Sequence, residues 1–72
     1  MLLLEKLEAE LNNAAYCFTV SEGVIDGEFN VHLKNITNSP RIRVNNDNET
    51  ILVNGVVCNT VEEAMSAIDY YC

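Results

Sequence analysis

Leu4, Leu7 and Leu11 recur at helical spacing, while Glu5, Lys6, Glu8 and Asn12 fall largely on the other side of the same turn geometry. The spacing predicts an amphipathic helix over 2–14, with Ala14 or Ala15 continuing its apolar face and Asn12-Asn13 ending it. The period then changes from 3.6 to 2. Tyr16, Phe18 and Val20 alternate with Cys17, Thr19 and Ser21, which predicts a strand over 16–21. Glu22-Gly23 and Asp26-Gly27 are turn signals. Over 28–34, Phe29, Val31 and Leu33 point one way and Glu28, Asn30, His32 and Lys34 the other, the signature of a half-exposed antiparallel strand.

The pattern continues beyond a polar loop at 35–40 that closes on Pro40. Residues 41–45 set Ile42 and Val44 inward and Arg41, Arg43 and Asn45 outward, and 50–53 return as another strand after Asn46-Asp47-Asn48-Glu49. Asn54-Gly55 is the strongest hairpin signal, because both central residues must tolerate positive φ. A short strand, 56–58, follows. Asn59 or Thr60 then caps a final helix: Thr60 with Glu63 fits a capping box, and Glu62 and Glu63 complement the helix dipole. Val61, Ala64, Met65, Ile68 and Tyr71 share its apolar face, opposite Glu62, Glu63, Ser66, Asp69 and Tyr70.

The expected architecture is therefore a single α+β domain over 1–72: an N-terminal helix, a small antiparallel sheet of three to five strands and a C-terminal helix. Both helices cover one sheet face, packed on Phe18, Phe29, Val31, Leu33, Ile42, Val44 and Ile51, and the other face stays wet. A core this small is marginal on its own, so a homodimer through Leu2, Leu3 and their apolar neighbours is a reasonable structural or adaptor role.

Charge changes this picture. Eleven Asp and Glu face four Lys and Arg, a net −7, yet 49% of the chain is hydrophobic, so the charge must sit on a folded surface rather than a disordered tail. It is also segregated. Residues 1–30 and 46–72 each carry −5, and 31–45, with Lys34, Arg41 and Arg43, carries +3. Such a surface repels duplex DNA, whose binding requires several phosphates to be neutralised, and attracts basic proteins.

Candidate chemistry is sparse. No Gly-rich phosphate loop, zinc-protease, calcium-loop or nucleophile-elbow motif occurs, so the chain reads as a non-enzyme with no cofactor. His32, the sole histidine, falls on a polar strand face. Cys17, Cys58 and Cys72 are widely spaced and odd in number. That argues against a disulfide framework or a zinc site and for Cys17 and Cys58 as small, partly buried apolar residues, with Cys72 able to cross-link on oxidation. Met1-Leu2-Leu3-Leu4 is cut short by charges, so neither export nor membrane insertion is expected and the reading is cytoplasmic. The sequons at Asn35 and Asn48 then carry no meaning.

The stretch Arg43-Val44-Asn45-Asn46-Asp47-Asn48-Glu49, with the order helix, strand, hairpin and acidic helix around it, resembles a Listeria-prophage family of anti-CRISPR proteins that inhibit a type II RNA-guided nuclease. The resemblance implies a small acidic phage protein that blocks the site reading the protospacer-adjacent motif, with Asp47, Asn48 and Glu49 meeting the nuclease's DNA-reading residues. Carboxylates on turns and on a helix can stand in for phosphates in a basic groove. The candidate partner-binding residues are accordingly Glu22, Asp26, Glu28, Asp47, Asn48, Glu49, Glu62, Glu63 and Asp69.

Overall fold

The computed structural model describes residues 2–34 and 36–71; Asn35, with its sequon, and Cys72 lie outside them. The order is α1 (Leu3–Asn13), β1 (Phe18–Glu22), β2 (Glu28–Leu33), β3 (Ile42–Asn45), β4 (Thr50–Val53), β5 (Val56–Cys58) and α2 (Val61–Tyr71). The five strands form one antiparallel meander in sequence order. The α+β expectation holds, with the sheet at the upper end of the anticipated strand count.

Register fixes the faces. Val20, Val31, Ile42, Val53 and Val56 form one cross-strand row, and Glu22, Phe29, Val44, Ile51 and Cys58 the next. These rows face the helices. α1 lies over β3 and against α2, which itself covers β4 and β5. Leu7, Leu11, Val44, Ile51, Val53, Ala64 and Ile68 are fully buried where the layers meet. The displaced helix layer leaves Phe18, Val20 and Phe29, on the β1 side, only half covered.

Helix α1 ends differently from the pattern's continuation through Ala14 and Ala15, which are both exposed. Ala15 takes φ +63; its N–H donates to Asn12 O at 3.1 Å and the Tyr16 N–H donates to Leu11 O at 2.9 Å. This pair of bonds is a Schellman motif with alanine where glycine is usual. The reversal uses up Tyr16 and Cys17, so β1 begins only at Phe18. It also puts Cys17 out of phase with inward Phe18: its carbonyl accepts the Lys34 N–H at 2.8 Å, and the side chain is exposed, contrary to the partly buried position expected. Cys58 is buried. Tyr71, anticipated on the core face of α2, is instead exposed and stacks edge-on against Tyr70.

The expected caps form. The Glu63 N–H donates to Thr60 Oγ1 at 3.1 Å, and Glu63 Oε2 accepts from the Asn59 N–H, one residue before the reciprocal partner of a standard capping box. No helix among the described residues is long and apolar enough to cross a membrane.

Candidate functional site

A meander places alternate connections at alternate ends. The β1–β2 connection (23–27) and the β3–β4 connection (46–49) therefore share one end of the sheet, and the chain also enters α2 from this end. The two turns touch: the Asn46 N–H donates to Gly27 O at 2.8 Å. Gly27 has φ +81, and a Cβ there would lie 2.5 Å from Asp47 Oδ2, so a side chain at this position would both strain the backbone and push the Asp47 carboxylate aside.

The second turn is braced from within. Asn45 Oδ1 accepts the N–H groups of both Asp47 and Asn48, each at 2.9 Å. Glu49 sits at φ +53, a left-handed conformation that costs a non-glycine residue about 1–2 kcal/mol. The first turn is closed by the Glu28 N–H on Ile25 O at 3.0 Å.

The outcome is an acidic rim. Glu22, Asp26, Asp47, Asn48 and Glu49 are exposed along it, and Glu62 and Glu63 are exposed in the first turn of α2. With strands about 4.8 Å apart, the rim runs about 19 Å from β1 to β5, so its charges form a row rather than a point. Among the described residues, none of Glu22, Asp26, Asp47, Glu49 or Glu62 makes an ion pair.

Two of the predicted site residues stand apart from this row. Glu28, with its side chain only 11% exposed, is held by Arg43, whose Nε lies 3.3 Å from Glu28 Oε1 on the outer sheet face. Asp69 is at the far end of α2, where Asp69 Oδ1 accepts the Tyr16 hydroxyl at 2.7 Å. Neither joins the rim.

Three rim residues were not legible as site residues. Val24 and Ile25 stand in solvent at the tip of the first turn, 99% and 63% exposed, between Glu22 and Asp26. Two β-branched aliphatics inside a Gly-flanked turn were the available signal, since such residues are poor turn formers. Glu5 belongs here too, because the first turn of α1 is bonded to Asn46; no local spacing reveals that.

The basic segment over 31–45 contributes two of its three cations to one groove. On the wet sheet face, Arg41, Arg43 and His32 line a groove of about 760 Å³ together with Asn30, Ser39, Pro40, Leu52 and Asn54. Lys34 is exposed and does not line it. His32 Nε2 lies 3.3 Å from Ser21 Oγ. Among the described residues no three His, Cys, Asp or Glu side chains group as a metal site. Burial, and after it the nearby Glu63 carboxylate, push the Cys58 thiol above its ordinary value of 9.0, which makes it a poor nucleophile.

Comparison with family models, curated proteins and solved structures finds no match to this chain.

Proposed function

We propose that the protein is a phage-type inhibitor of a host CRISPR effector or nuclease, acting in the host cytoplasm. It inserts its acidic rim into the basic DNA-binding groove of that partner and blocks DNA recognition as a partial DNA mimic. The observation that carries this reading is the contact between the two turns, which collects Asp26, Asp47 and Glu49 on braced backbone with no internal cation among the described residues to neutralise them. A braced backbone reduces the freedom lost on binding, and exposed carboxylates form charge-assisted, sometimes bidentate bonds with arginine.

Two further features support it. Glu49 is retained in a strained conformation that glycine or asparagine would adopt more easily, and strain of this kind concentrates at functional positions. Val24 and Ile25 add exposed apolar area inside the acidic rim, and covering it with a partner is favourable. Glu28 and Asp69, already engaged, contribute less than the rim residues.

The test is binding to purified CRISPR effector complexes with and without DNA. Charge reversal at Asp47 and Glu49 should abolish binding, Val24→Ser with Ile25→Ser should weaken it, and affinity should fall steeply with salt. Unchanged binding after reversal at Asp47 and Glu49, and separately at Glu62 and Glu63, would sink the proposal.

A second reading, a homodimeric adaptor without catalytic activity, is favoured by Leu2, which is 56% exposed next to half-buried Leu3 at the start of α1. Sedimentation equilibrium decides it: a concentration-independent monomer removes it.

A further inference from the structure

The groove on the wet sheet face is a second site, independent of the rim and opposite to it in sign. Arg41 is unusually well fixed for an exposed residue. Its N–H donates to Asn54 Oδ1 and its carbonyl accepts the Asn54 N–H, both at 2.8 Å, so the backbone of Arg41 is clamped to the β4–β5 turn. The preceding residue, Pro40, is buried and has its own φ restricted by its ring. Arg43 is two residues further on the same strand face, about 6.8 Å along, and is steadied by Glu28. The backbone along this side of the groove is thus fixed.

Its donors outnumber what a carboxylate needs. Two guanidinium groups, the His32 imidazole, the Asn30 amide and the Ser39 hydroxyl line one concavity, and half-buried Leu52 supplies apolar surface. A carboxylate has two oxygens in one plane, and a single arginine satisfies it bidentately. A phosphate monoester carries three terminal oxygens and about −1.5 to −2 charge at neutral pH, which suits several donors at once. Among the described residues Arg41 has no acidic partner, so it is the cation of the groove left unmatched within the chain, whereas Arg43 already pairs with Glu28. The volume lies within the range of sites for small organic ligands.

We infer that this groove binds a small phosphorylated ligand of nucleotide size, with its phosphate on Arg41 and Arg43 and its organic body over Leu52. The protein's net negative field opposes any anion at long range, so binding depends on these short-range contacts.

The experiment is an NMR titration of the full chain with inorganic phosphate, a nucleoside monophosphate, a nucleoside triphosphate, an acidic peptide and a short single-stranded oligonucleotide. The expected result is saturable shifts at the amides of Arg41, Arg43, Leu52 and Asn54 with the nucleotides, weaker with inorganic phosphate and absent with the peptide. Arg41→Ala should weaken nucleotide binding roughly tenfold, the loss of about one charge-assisted contact, and Arg41→Lys should restore part of it. An otherwise unchanged spectrum of each variant shows that the fold is kept. No saturation at millimolar nucleotide, shifts that persist in Arg41→Ala, or binding of the peptide or the oligonucleotide in preference to the nucleotides would each overturn the inference.

Discussion

The side-chain oxygen of Asn46 accepts the backbone N–H of Leu4 at 3.0 Å, across 42 positions of sequence. The first N–H groups of a helix have no partner inside it, and Leu2, at the N-cap, offers no side-chain acceptor. A turn of the sheet therefore supplies the cap. Asn46→Ala should cost about 1 kcal/mol, the usual loss on deleting a cap. In a domain of this size that lowers the Tm by roughly 4–8 °C. An unchanged Tm would show that the bond contributes nothing.

Ala15 and Glu49 make a matched pair, both at positive φ. Glycine at either site relieves the left-handed strain, so Ala15→Gly and Glu49→Gly should each raise stability by about 1 kcal/mol in urea unfolding. Their effects on partner binding should diverge. Ala15→Gly leaves affinity unchanged, and Glu49→Gly weakens it, because it removes a carboxylate of the rim. Equal affinity for the two variants would remove Glu49 from the interface.

Gly27 and Gly55 both lie at positive φ, but only Gly27 faces an obstacle. Nothing lies within 4 Å of a Cβ built on Gly55, whereas at Gly27 it meets the Asp47 carboxylate. Alanine at either position should cost about 1–2 kcal/mol from the backbone alone. Gly27→Ala should also displace Asp47, which the amide shifts of Asp47 and Asn48 would report. With Asp47→Ala in the background, that perturbation should vanish while the backbone cost remains.

Cys17 is exposed and Cys58 buried, so alkylation of the native protein, followed by peptide mass mapping, should modify Cys17 and leave Cys58 until the chain unfolds. Because the Cys58 thiol is raised above 9.0, the folded state holds its proton more tightly than the unfolded state does. The associated stability is fully present below about pH 9 and is lost as pH climbs through the raised folded value. Cys58→Ala should lower stability at neutral pH and flatten this alkaline decline. An alkaline limb identical to that of the parent would place its origin elsewhere.

Local pattern carried most of the fold. Leu4, Leu7 and Leu11 marked α1, Asn54-Gly55 marked the last hairpin, and Thr60 with Glu63 marked the start of α2, because each signal lies within a few residues. What escaped was set by partners distant in sequence or by unusual backbone. An alanine in the glycine position of a Schellman motif leaves no compositional trace, and it moved the start of β1 to Phe18. The acidic candidates follow from charge, from places on turns and on the last helix and, for Asp47, Asn48 and Glu49, from a resemblance. Which of them gather, and which are occupied, depended on register: Glu28 faces the same side as Arg43, and Asp69 lies within reach of Tyr16. Val24 and Ile25 escaped because an apolar residue in a turn reads as an exception to a pattern rather than as a signal.

Every strand pairs only with its neighbours in sequence, so the sheet can assemble one hairpin at a time, and each closure spans a short loop. Low contact order of this kind favours rapid folding. The N-terminal helix is the exception. Its cap and its buried leucines wait for the turn between β3 and β4, more than half the chain away, so mutations in α1 should chiefly accelerate unfolding while leaving the folding rate nearly unchanged.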